Sequence, residues 1–222
     1  MLSRKGVNLK PSPTLAIAAK AKELQAQGHQ VISLSVGEPD WDTFPLIKEA
    51  GIKAIEAGQT KYSPVNGTLQ LRTAIADKTQ ELLGVEYSPN QVTVSTGAKF
   101  ILFSALQMLC DPGDEVLIPA PYWVSYPTMV ELVDGVPVIV PSDELSEFKV
   151  HAHHLEKKIT AKTKVLILNS PSNPTGQVYT RAELEDIARL LRRHPRIVVV
   201  SDDIYNQLVF TGTAVAPHLL HC

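Results

Sequence analysis

The sequence predicts an α/β protein in three layers, with helices on both faces of a mostly parallel sheet. Three observations predict it. Short apolar runs recur from residue 91 onward, at QVTVS (91–95), EVLIP (115–119), VPVIV (136–140), KVLILN (164–169) and RIVVVS (196–201). Stretches with helical spacing separate them, and strands that alternate with helices usually join a parallel sheet. The runs at 164 and 196 are continuously apolar rather than alternating, as in strands covered on both faces.

Upstream of that region the chain reads as mainly helical. Ser12 precedes Pro13 and TLAIAAKAKELQAQ, and Gly28 closes the run. A helix with a serine cap, a proline at its first position and a glycine stop is expected there. VISLSVG (31–37) reads as a short apolar strand ending in a turn, while PLIKEAGIKAIEAG (45–58) and TLQLRTAIADKTQELLG (68–84) read as amphipathic helices closed by glycines. STGAK (95–99) follows a strand-like run and opens the helix KFILFSALQML (99–109). Thr180 and Glu183 have the spacing of a capping box, and ELEDIARLLRR brings basic residues to the helix end where the dipole is negative. The segment after RIVVVS reads as loop, without the closing element that a sheet of this kind usually has.

Composition excludes several classes of function. With 222 residues, 44% of them hydrophobic, and a net charge of −2, the chain falls among ordinary globular proteins. No basic stripe follows a phosphate backbone, so nucleic acid is not implied. The basic N-terminus MLSRKGVNLKPSP is not followed by an apolar segment, and no run approaches the length of a membrane span. A cytoplasmic protein with a small-molecule ligand is the expectation. Cys110 and Cys222 are far apart, which argues against a disulfide framework or a CxxC metal site and reads Cys110 as a buried thiol. HAHH (151–154) lacks the cysteine or acidic pair that would complete a coordination set, so surface histidines are expected and no metal.

Ligands of an open parallel sheet gather beyond the carboxyl ends of its strands. The segments placed there are VGEPD (36–40), STGAK, PYWVSYP (121–127), NSPSNPTG (169–176) and SDDIY (201–205). Gly97, Ala98 and Lys99 put backbone amides at a helix N-terminus, which is an anion site by geometry. Neither GxGxxG nor GxxxxGK[ST] is present, so a dinucleotide fold or a Walker loop is disfavoured. Asp202 at a strand end is either a local residue, as a helix N-cap or in a loop salt bridge, or a carboxylate that holds a proton on a heterocyclic nitrogen. Tyr205 lies within reach of the same place if the segment turns helically. Asn173 either satisfies a proline-bounded turn or faces the ligand, and Trp123 is either core or a platform for a planar ring.

GEPD, YSPVNGTLQLR, DPGDEVLIPAPYWVSYP, NSPSNPTG and SDDIY, in this order and spacing, resemble the class I aminotransferases of the fold-type I pyridoxal-phosphate enzymes, and among them the bacterial aspartate aminotransferases. The resemblance runs through essentially all of residues 2–210. It implies pyridoxal 5′-phosphate as cofactor, amino acids and 2-oxo acids as substrates, and a homodimer. By motif, Gly97, Ala98 and Lys99 resemble the turn that cradles the cofactor phosphate, and Tyr62 resembles a tyrosine that reaches the phosphate in the neighbouring subunit. Trp123 resembles the aromatic stacked on the pyridine ring. Asn173 and Tyr205 resemble the pair at the phenolic oxygen, and Asp202 the partner of the ring nitrogen. Gly37, Trp123 and Asn173 resemble substrate-binding positions.

The resemblance also implies that residues 1–44 are an N-terminal arm and the start of a small domain, with 45–222 an incomplete large cofactor-binding domain. The Schiff-base lysine and the arginine that clamps the substrate carboxylate are expected beyond Cys222. No catalytic residue is therefore expected within 1–222, and the chain alone is expected to be inactive. The implied reaction is amino transfer from aspartate to 2-oxoglutarate. An aromatic or prephenate aminotransferase, a carbon-sulfur lyase of the same fold and a non-catalytic remnant are the alternatives.

Overall fold

A computed structural model describes residues 2–9, 13–34, 37–210, 212 and 215–222, and the chain divides into two compact units, Met1–Val65 and Asn66–Cys222. Among the described residues the first unit holds three helices. In α1 (Arg4–Asn8) the Ser3 side chain accepts from the Gly6 amide. α2 (Pro13–Ala26) starts on the expected proline, although the expected cap, Ser12, lies outside the described residues. α3 (Pro45–Glu56) also starts on proline, which suits a first turn whose amides have no intrahelical partner. The expected strand at 31–37 is not formed over 31–34: that stretch is irregular, with Ile32 and Leu34 almost fully exposed, and residues 35 and 36 lie outside the described set.

The second unit contains the sheet. α4 (Leu69–Leu83) is capped by Thr68 and stopped by Gly84 in a left-handed conformation. α5 (Ala98–Leu109), β1 (Glu115–Pro119), α6 (Ser125–Leu132), β2 (Val136–Val140), α7 (Ala152–Glu156), β3 (Thr163–Asn169), α8 (Arg181–Arg192) and β4 (Val198–Asp202) follow. The strand order is β2-β1-β3-β4 and every pair is parallel. QVTVS departs from its strand expectation. Pro89–Gln91 form a 3-10 turn and the residues after it are extended, held by the Val94 amide on the Asn66 carbonyl (3.1 Å), while no strand among the described residues pairs with them.

The core explains why the strands read as continuous apolar runs. Val116, Ile118, Val165 and Ile167 face one side, where Leu102, Leu106, Met129 and Val130 of α5 and α6 cover them. Leu117, Leu166 and Leu168 face the other, beneath Leu155, Leu184, Ile187, Leu190 and Leu191 of α7 and α8. The two central strands, β1 and β3, are thus apolar at successive positions because both faces are buried. α8 has the expected capping box: Thr180 Oγ1 accepts from the Glu183 amide at 3.3 Å, and Glu183 Oε2 accepts from the Thr180 amide at 2.7 Å.

Two positions give direct tests of this unit. Gly67 has φ +94°, and a Cβ there would lie 2.9 Å from Val94 Cβ. Gly67→Ala should therefore destabilise the unit by about 1–3 kcal/mol in a urea titration, from backbone strain and the crowded β-carbon. Tyr179 is buried, its hydroxyl donates to the Val150 carbonyl (3.2 Å) and accepts from the Val150 amide (2.9 Å), and burial pushes its ionisation up to about 12. The raised value means the folded state holds the phenolic proton more tightly than the unfolded chain, where tyrosine titrates near ~10. This contribution, on the order of 2–3 kcal/mol, is complete below pH ~10 and is lost as pH rises toward 12. Urea midpoints should fall over that range, and fall less steeply in Tyr179→Phe.

Candidate active site

The carboxyl ends of the parallel strands gather the residues that matter. Register sets Asn169, the last residue of β3, level with Asp202, the last residue of β4. The Asn169 side-chain amide donates to the Asp202 carbonyl (2.8 Å), and its Oδ1 accepts from the Asn173 amide (2.8 Å). Asn173 is thus tied back to the strand ends by its own backbone, which leaves its side chain out of that contact. Asp202 is 8% exposed. Its Oδ2 accepts a 2.6 Å hydrogen bond from the Tyr126 hydroxyl, and its Oδ1 has a longer contact, 3.4 Å, with the Ile204 amide. The local-cap reading of Asp202 accounts for that long contact alone. The short, buried bond to Tyr126 is a second and stronger contact.

Tyr126 lies in the first turn of α6, three residues after Trp123, and the two rings meet edge to face with centroids 5.5 Å apart at 87°. Trp123 is half-buried, and the Lys99 ammonium sits 4.7 Å from its ring centroid, a cation–π contact. Burial, then the Asp202 hydrogen bond, push the Tyr126 hydroxyl far above the ordinary tyrosine range, so it stays a donor. Lys99, Trp123, Tyr126, Asp202, Asn169 and Asn173 therefore form one unbroken series of contacts along the strand ends. Tyr205, in the turn after β4, is half-buried.

The turn before α5 supplies the anion-binding geometry. Gly97 has φ +83°, with open space where a side chain would start. Its own amide is turned onto the Ser95 carbonyl (2.9 Å), so the amides available to an anion belong to Ala98 and the residues after it, which lack intrahelical acceptors. Gly37 and Tyr62 belong to the first unit and are exposed there.

Sequence reasoning missed Tyr126, Asn169 and a clasp beyond β4. Asp203 accepts from Ser201 Oγ (2.8 Å) and pairs with His218 Nε2 (2.7 Å), while His218 Nδ1 accepts from the Leu220 amide (3.0 Å). The segment expected to be loop is thereby fastened to the end of the sheet and ends in a 3-10 turn, Leu219–His221. The signals for Tyr126 and Asn169 were present as the Trp-x-x-Tyr spacing and the first residue of NSPSNPTG.

At the start of α7 the His151 and His153 rings lie nearly parallel with centroids 5.9 Å apart, and the His154 ring is tilted against both; His153 is exposed and the other two are half-buried. No group of residues suited to a metal occurs among the described residues. Cys110 and Cys222 are free and half-buried, so Cys110 is less enclosed than expected, and burial raises its thiol. No helix among the described residues is long and apolar enough to cross a membrane.

The family described as aminotransferase class I and II matches residues 29–220. An aspartate/prephenate aminotransferase of Cereibacter sphaeroides is 52% identical over 202 residues, which cover 91% of this chain and 50% of that protein. An aspartate aminotransferase of Bacillus sp. is 48% identical over 212 residues, 96% of this chain and 54% of the relative. In three dimensions the chain superposes on the aspartate aminotransferase of Rhizobium meliloti with a TM-score of 0.93 and 41% identity, over 99% of this chain and 55% of the other. The chain spans about half the length of the curated relatives it matches.

Proposed function

We propose, since this chain belongs to the class I and II aminotransferase family, that the polypeptide carrying it transfers an amino group from an L-amino acid to a 2-oxo acid. Aspartate is the proposed donor and 2-oxoglutarate the proposed acceptor, supported by the names of relatives at about half identity. The observation that carries the reading is the buried Asp202 carboxylate at the end of β4, with one oxygen taken by Tyr126 and an indole alongside.

The family depends on pyridoxal phosphate. The donor set suits that group: a buried carboxylate for a ring nitrogen, a flat aromatic for a ring face and the start of a helix for a phosphate. When bound, the cofactor supplies the electron-withdrawing ring that makes loss of the amino acid's α-proton feasible. Asp202 would hold a proton at the ring nitrogen. Trp123 would fix the ring plane, with Asn173 and Tyr205 directed to the phenolic oxygen. The amides of Gly97 and Ala98, with the Lys99 ammonium, would take the phosphate after Gly97 turns its amide from Ser95.

Gly37, Trp123 and Asn173 are the proposed substrate contacts. Tyr62 is proposed to reach the phosphate of a second copy in a cytoplasmic homodimer. Prephenate is a second candidate acceptor, because relatives from Cereibacter sphaeroides and Petunia hybrida carry that substrate in their names. The test is transamination by the polypeptide that carries this sequence, with aspartate, 2-oxoglutarate and prephenate compared as substrates. Turnover that requires pyridoxal phosphate and prefers these acids supports the reading, and absence of any amino transfer overturns it.

A further inference from the structure

Tyr126 is 2% exposed, and its ring packs among Met129, Val130 and the strand residues beneath α6. A buried phenol needs one acceptor, and as a packing residue alone it could use any nearby carbonyl. It uses a carboxylate instead, and the one carboxylate at the strand ends that is itself buried among the described residues. The same side chain presses its edge against Trp123, so it touches both groups that would meet a bound ring.

From this geometry we infer that Tyr126 is a positioning residue acting through Asp202: it occupies Oδ2 and turns Oδ1 toward the ring nitrogen, so that the carboxylate meets the ring N–H in line. The inference depends on the cofactor reading of the site given above. At 2.6 Å the Tyr126 bond is of the short, charge-assisted kind. Without it, the Asp202 side chain would lose the contact that sets its rotation, and with it the alignment of Oδ1 on the ring nitrogen. Oδ1 then has only the 3.4 Å amide of Ile204 to hold it, which leaves it available to a stronger donor.

The probe is pyridoxamine 5′-phosphate with ¹⁵N in its ring, which keeps the ring nitrogen, phenolic oxygen and phosphate but has no aldehyde to react with stray lysines. Wild-type chain should hold the bound nitrogen in its protonated state. Tyr126→Phe should move the nitrogen signal toward the unprotonated position and weaken binding about tenfold. In an Asp202→Asn background the same tyrosine change should alter affinity less than about twofold, because its route is already removed. Losses that simply add in the double variant, or an unmoved nitrogen signal in Tyr126→Phe, would assign Tyr126 to packing alone. If Asp202→Asn abolishes binding, the nitrogen signal of the single variant decides. Failure of the wild-type chain to bind the probe saturably would overturn the cofactor reading itself, and the inference with it.

Discussion

Asp202→Asn should weaken binding of pyridoxamine 5′-phosphate by about 10²- to 10⁴-fold, the largest effect expected of any single site residue. The magnitude follows from breaking a buried charge pair, which costs about 3–5 kcal/mol because the partner is left without compensation. The asparagine side chain would keep the shape, and its carbonyl could still accept from Tyr126, so the fold should survive. What it cannot do is carry the negative charge that a protonated ring nitrogen needs. Titration calorimetry of the two proteins measures the difference, with circular dichroism as the control for folding. A loss smaller than about threefold would place the ring nitrogen elsewhere.

Leu166→Ala should give the largest loss of stability, about 2–5 kcal/mol. Leu166 is fully buried at the middle of β3, which pairs with β1 on one side and β4 on the other, and it packs in the cluster beneath α7 and α8. A cavity there sits where the sheet and two helices meet, so few neighbours can move to fill it. For a unit of this size the melting temperature should drop on the order of 10 °C by scanning calorimetry. The loss should also weaken the site indirectly, because β3 ends in Asn169 and aligns Asp202 across the register. A change below about 1 kcal/mol would contradict the assignment of this residue to the core.

The sheet was legible in the sequence because burial on both faces writes itself as unbroken apolar runs. EVLIP, VPVIV, KVLILN and RIVVVS all became strands for that reason. QVTVS and VISLSVG carry similar residues and did not pair over the described positions, since a strand also needs a neighbour for its backbone groups and composition cannot supply one. Helix limits were readable where capping chemistry is local, as at Thr180 with Glu183 and at Gly84.

The site divides in the same way. Asp202 ends a strand, Trp123 follows one and the Gly97 turn follows an apolar run that reads as one, and such positions are visible in a one-dimensional pattern. Tyr126 acts on a residue 76 positions away, and Asn169 on one 33 positions away. Those contacts depend on strand order and register, which no periodicity encodes. The resemblance to a family supplied roles for single residues; the contacts between them came only from the folded chain.

The central claim is that the strand ends of these 222 residues form a site for a phosphorylated pyridine ring. Fluorescence titration of the chain with pyridoxamine 5′-phosphate tests it most directly, with Trp123 as reporter and Trp123→Phe as the control against signal from Trp41. Binding should be saturable and one-to-one, should change Trp123 emission and should be lost or strongly weakened in Asp202→Asn. Non-saturable binding, or saturable binding indifferent to both substitutions, would contradict it.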